Sequence, residues 1–219
     1  MKLDKKVPDF LKLLVVNNNR EWFNDNKKLY LEAKALFEEF ILAQIVEIQK
    51  FDSQVKDLQI KDCSFRIYRD IRFSKDKTPY KIHFSAYMAN GGRKSPYAGY
   101  YTHVEPDANL IAGGLHNPHK DILRKIRTAI YENPEAFKKI MEKKDFKAIF
   151  SKIYGERLIS APRGFSRNFK DLELIQLKSY DFFKYISDDD LVSDTFFENS
   201  INDFKLLLPL NNYFNQIIK

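Results

Sequence analysis

An α+β fold, with an antiparallel sheet flanked by N-terminal and C-terminal helices, is predicted by three features of the sequence. Apolar residues recur at helical spacing through the N-terminal fifth of the chain and again from Asn117 onward. Between about 58 and 115 the period shortens to two, and turn residues separate the runs without an intervening helix, the pattern of at least four consecutive antiparallel strands; residues 180–186 are a further extended segment. Only seven glycines and eight prolines are spread over 219 residues, with no linker, low-complexity tract or repeat, so residues 1–219 are expected to form a single domain.

Pro8 and Asp9 suit a first helical turn, Phe10, Leu11, Leu13 and Leu14 follow, and Asn17-Asn18-Asn19 ends a short helix over 7–16. Asn19 can cap a second helical run whose stripe includes Trp22, Phe23, Tyr30, Phe37, Phe40, Ile45 and Ile48, with a break near 24–26. Val55, Leu58 and Ile60 lead into Phe65, Ile67, Ile71 and Phe73, which alternate with Arg66, Tyr68, Asp70 and Arg72. Further alternating runs cover 82–88, 100–105 and 110–115, divided by Asn90-Gly91-Gly92 and Pro106-Asp107. Gly113-Gly114 reads as a strand end or a tight crossing, with amide donors for a phosphate as the functional alternative. Asn117-Pro118 and Asn133-Pro134 restart helices, and Asp145 caps another that runs through Tyr154 to Gly155. An irregular loop carries Ala161-Pro162-Arg163-Gly164-Phe165, Leu172–Leu177 reads as a short helical turn, and the closing helix from Thr195 is kinked or split by Pro209.

The amino terminus lacks the apolar region of a secretory signal and no apolar run reaches the ~20 residues of a membrane span, so a soluble, cytoplasmic protein without membrane partners is expected. The lone cysteine, Cys63, reads as a small hydrophobe entering a strand. Walker, dinucleotide-fingerprint, zinc-protease and nucleophile-elbow motifs are all missing from the sequence, which removes the commonest nucleotide and hydrolase readings. The formal charge is +7, and residues 65–81 carry more than half of it, as three arginines and three lysines against two aspartates. That is a local basic site more than a global field.

In a straight strand over 65–73, Arg66, Asp70 and Arg72 share one face and Arg69 points to the apolar one. Arg69 then either has a carboxylate partner, with Asp76 and Glu105 as candidates, or is turned toward the same pocket by a bulge near Asp70; a structural ion pair is the expectation. Arg66, Arg72, Lys77 and Lys81 are the expected anion-binding cations, since guanidinium forks and ammonium groups recognise phosphate and carboxylate oxygens. Asp70, Asp76 and Tyr80 are the candidates for chemistry if there is turnover. The histidines His83, His103, His116 and His119 cluster in sequence, and His103 and Glu105 share a strand face, but His116 and His119 straddle a proline and lack helical ligand spacing. A metal site on these residues is the weaker alternative, no metal ligand is assigned, and the cofactor is left open.

The pattern R-x-x-R-D-x-R-F followed three residues on by D-K-x-P-Y, carried by Arg66, Arg69, Asp70, Arg72, Phe73, Asp76, Lys77, Pro79 and Tyr80, resembles the signature of a widespread bacterial family of uncharacterised proteins of about this length, with fungal relatives. The N-N-N-R-E-W-F opening, the E-P-D-x-N-L-I-A-G-G-L segment and the A-P-R-G-F loop extend that resemblance over the chain. It implies no assigned activity, cofactor or partner, and it suggests Arg163 and Gly164 as additions to the site. The leading functional expectation is binding, with turnover left open, of a phosphate- or carboxylate-bearing small molecule such as a nucleotide. The alternatives are a nucleic-acid-binding module that stacks bases on Tyr68, Tyr80, Tyr100 and Tyr101, and a non-catalytic protein whose motif is a salt-bridge network.

Overall fold

In the computed structural model, which describes residues 1–219, the N-terminal helical period becomes three helices: α1 (Lys6–Val16), α2 (Arg20–Asp25) and α3 (Lys27–Gln49). The Asn19 side chain accepts from the Trp22 amide at 2.9 Å and so caps α2. The expected break falls at Asn26, whose side-chain amide donates to the Trp22 carbonyl at 2.9 Å and competes with the helical ladder. A short helix, α4 (Ile60–Cys63), precedes the sheet, so Cys63 closes a helical turn instead of entering a strand. It is fully buried, and burial pushes its thiol up to about 11, which leaves it unreactive at neutral pH.

The sheet comprises β1 (Phe84–Met88), β2 (Gly99–Val104), β3 (Asn109–Leu115) and β4 (Tyr180–Ile186), each antiparallel to the next in that spatial order. Between β3 and β4 lie α5 (Lys120–Glu132), α6 (Pro134–Met141), α7 (Lys144–Ile149) and α8 (Leu172–Ile175), and after β4 come α9 (Asp188–Leu191) and α10 (Phe196–Ile218). Pro209 sits inside α10 without ending it. No helix is long and apolar enough to cross a membrane.

The two sheet faces differ. Ala86, Met88, Tyr100, Thr102, Ile111 and Phe182 are buried on the side where α3 and α10 pack. Gly113 belongs to this face because a Cβ there would come within 2.7 Å of Leu207 on α10. A polar seam crosses the same interface: Gln44 of α3 accepts from Thr102 at 2.8 Å and donates to Ser200 at 3.0 Å. Alternation places Tyr87, Tyr101, His103, Leu110 and Phe183 on the other face, which stays half-buried.

Residues 65–73 do not form the expected strand. The segment touches the sheet through an isolated bridge, Ser64 to Ala86, and folds back on itself through a second, Tyr68 to Tyr80. Its apolar residues do not share one covered face: Ile67 is 1% exposed in the core, whereas Phe73 is 97% exposed, and a strand gains little unless one face is buried along its length. α5 starts at Lys120, later than the Asn117 cap expected, because Asn117 takes a left-handed conformation (φ 42°) and bonds to Ser179 instead. α7 starts from Lys143 rather than an Asp145 cap and ends at Ile149, since Tyr154 is drawn into backbone pairing with Asp181.

Candidate functional site

The basic motif is held from behind by the asparagine run. The Asn18 side chain donates to the Tyr80 carbonyl at 3.0 Å and accepts from the Tyr80 amide at 3.1 Å. The Tyr80 ring is buried and stacks on Phe23 of α2 with centroids 3.9 Å apart. Burial raises its phenol above the usual range, so in this arrangement Tyr80 anchors the motif to the helical layer.

The charged residues divide into small closed units. Arg69 bonds the Asp76 carboxylate and the Thr78 hydroxyl. It lies on the outer side of the loop, not on an apolar strand face. Arg72 grips Asp70 with two bonds of 2.9 and 2.6 Å, holding the carboxyl below and the guanidinium above their usual ranges. Lys77 donates to the Ile71 carbonyl at 3.0 Å. Arg66 is exposed, and Arg163 stands on an exposed turn where Gly164 (φ 92°) has open space around it. That turn is anchored by Phe165 packing on Tyr131 of α5.

Asp76 is held down to about 2, first by the Thr78 backbone amide and then by Arg69. A carboxylate depressed in the folded chain stabilises it above the unfolded pKa of about 3.9 and loses that contribution as pH falls through the folded value. NMR titration of the Asp76 carboxyl is expected to give a midpoint near 2. In Arg69→Ala the midpoint should move only part of the way back toward the unfolded value, because the Thr78 amide remains.

A cavity of about 780 Å³ lies over the half-buried sheet face. Its floor includes Tyr87, Tyr101 and Phe183, one wall carries Phe65, Lys81 and His83, and Arg93 and Lys94 stand at the rim. Of the five cations expected to bind an anion, Lys81 lines it, while Arg66, Arg72, Lys77 and Arg163 do not. The Lys81 ammonium lies 5.5 Å from the centre of the Phe65 ring, and the Arg93 guanidinium lies 6.0 Å from it. Burial, aided by nearby Arg66, lowers the Lys81 pKa. The one carboxylate in the lining, Asp181, is bonded to His116 at 2.9 Å and raises the histidine's pKa.

At the edge of this cavity the register brings together residues that are separated in sequence. Phe84 pairs with Val104 and Ser85 with His103, so His83 falls opposite Glu105 and next to His103 on the same face. The two rings are 4.4 Å apart. His103 Nε2 is 2.7 Å from Glu105 Oε2, His83 Nδ1 is 3.5 Å from the same oxygen, and Tyr101 Oη is 2.8 Å from His103 Nδ1. Burial lowers both imidazoles to about 4, helped by each other's proximity at His83 and by Lys81 at His103, so both are neutral at pH 7. The sequence shows His103 and Glu105 as neighbours, but His83 joins them through strand parity that appears only once the register is known. Arg93 was equally invisible, being a loop residue outside the motif.

No curated protein and no solved structure matches the chain. The family described as conserved hypothetical protein (DUF2461) matches residues 6–213, nearly the whole length, and the chain belongs to that family.

Proposed function

We propose that the chain is a cytoplasmic protein that binds a small phosphate- or carboxylate-bearing molecule with a planar ring, a nucleotide or a compound of that shape, in the cavity on the half-buried sheet face. The observation that carries this reading is the imbalance of the lining: Lys81, Arg93 and Lys94 form no ion pair, and the only carboxylate, Asp181, is taken by His116. Cations left without carboxylates beside an aromatic floor suit an anionic head and a stacked ring. The pairing of Arg69 with Asp76 and of Arg72 with Asp70 weighs against a continuous basic stripe for nucleic acid.

The test is a thermal-shift and calorimetric screen of nucleoside phosphates and aromatic carboxylates. Lys81→Ala is expected to weaken the best ligand about tenfold or more, the value of one charge-assisted hydrogen bond of ~1.5–3 kcal/mol. Arg163→Ala is expected to leave affinity unchanged. The reading fails if no anion of either class binds, if Lys81→Ala binds like the parent, or if single-stranded RNA binds tightly with a steep salt dependence while small anions do not.

A further inference from the structure

We propose that His83, His103 and Glu105 form a binding site for a divalent transition-metal ion of the zinc and cobalt class, with an open coordination position toward the cavity. The three ligand atoms lie within 4.8 Å of one another. Bonds of about 2.0–2.2 Å to one ion hold neighbouring ligand atoms roughly 3.3 Å apart in a tetrahedral site. The His83–Glu105 distance of 3.5 Å already fits, and the 2.7 Å contact between His103 and Glu105 has only to open by rotation of the carboxylate. The side chains are 25%, 12% and 25% exposed, sheltered enough for a defined site and open enough for entry.

Two imidazole nitrogens and a carboxylate oxygen are the donor set such ions prefer. His103 has its outer partner in place. Tyr101 lies on Nδ1 and leaves Nε2 for the ion; because a hydroxyl both donates and accepts, the ring proton moves from Nε2 to Nδ1 on metal binding while the bond to Tyr101 is kept. Lys81 shares the cavity lining with His83 and works against a bound cation, while Glu105 brings a negative charge as a ligand. Three protein ligands with His83 lining the cavity leave the remaining position facing a bound molecule, the arrangement of metal sites that polarise a substrate rather than hold a fold together.

This inference stands independently of the anion reading, which is measured in chelator. The metal test uses the full chain stripped with chelator and titrated with Co²⁺ alone, followed by visible absorption, and with Zn²⁺ by calorimetry. One equivalent of Co²⁺ should bind with a tetrahedral or five-coordinate absorption band. Glu105→Gln and His103→Asn should each lower affinity at least tenfold, and Tyr101→Phe should lower it about tenfold. His119→Asn, at an exposed position, should bind like the parent. The site is overturned if the parent shows no one-to-one binding, or if Glu105→Gln and Tyr101→Phe, folded by circular dichroism, bind as the parent does. It is equally overturned if His119→Asn removes the signal.

Discussion

Gly114→Ala is expected to destabilise the protein by on the order of 4 kcal/mol, among the largest effects a single methyl can have. Gly114 has φ 109°, and a Cβ on it would lie 2.1 Å from the Tyr180 carbonyl oxygen, a backbone atom of the paired strand. Two costs therefore combine. The backbone conformation alone is disfavoured for an L-residue by about 1–2 kcal/mol, and the clash forces β3 and β4 apart where they pair. Gly164→Ala separates them: its φ of 92° carries the conformational cost, but nothing lies within 4 Å of the added Cβ. Denaturant unfolding should show the Gly164 variant losing only about 1–2 kcal/mol. In thermal unfolding the Gly114 variant should melt roughly 10 °C lower than the parent, on the scale of 2–4 °C per kcal/mol for a chain of this size. Equal losses in the two variants would mean that β4 does not press on Gly114 as described.

Asn211→Ala is expected to cost about 3 kcal/mol. Asn211 is fully buried on α10, where its side chain accepts from the Gly114 amide at 3.1 Å and donates to the Gly99 carbonyl at 3.1 Å. Asn215, one turn on, does the same for Ala98, accepting from its amide at 2.8 Å and donating to its carbonyl at 3.2 Å. The helix thus supplies hydrogen bonds to backbone at the start of β2 and the end of β3. Truncating Asn211 strands one amide and one carbonyl in the core, each worth ~1–3 kcal/mol. Asn211→Asp should fare no better at neutral pH, since it keeps the acceptor for Gly114 but turns a carboxylate oxygen toward the Gly99 carbonyl. Asn202→Ala, exposed on the same helix, should stay within ~0.5 kcal/mol of the parent in the same denaturant titration.

Much of the architecture is legible in local pattern. The Asn19 cap, the break near Asn26, the strands at 84–88, 99–104 and 109–115, and the extended 180–186 segment all follow from spacing and turn residues within a few positions of each other. The failure at 65–73 is instructive because its alternation is as regular as that of the true strands. Regular alternation states which residues could share a face; it does not supply the layer that covers the face, and here that layer reaches Ile67 but not Phe73. Arg69 shows the same limit at the level of one side chain: its pairing with Asp76 lies in a partly exposed loop, not on a covered strand face.

By itself the sequence determined the kind and order of most elements and the helical flanks of the sheet, since each depends on periodicity or on residue identity along a short stretch, and its similarity over residues 6–213 determined the family to which the chain belongs. Tertiary structure alone decided which chemistry-bearing groups meet. It took Arg72 and Lys77 into local contacts and left Lys81 facing a cavity with Arg93. It set His83 against His103 and Glu105, and carried Asn211 to Gly99 and Gly114 across the width of the core. Such meetings depend on strand register and on the docking of α10. Both are fixed by the collective burial of side chains along the whole chain, which no local spacing encodes.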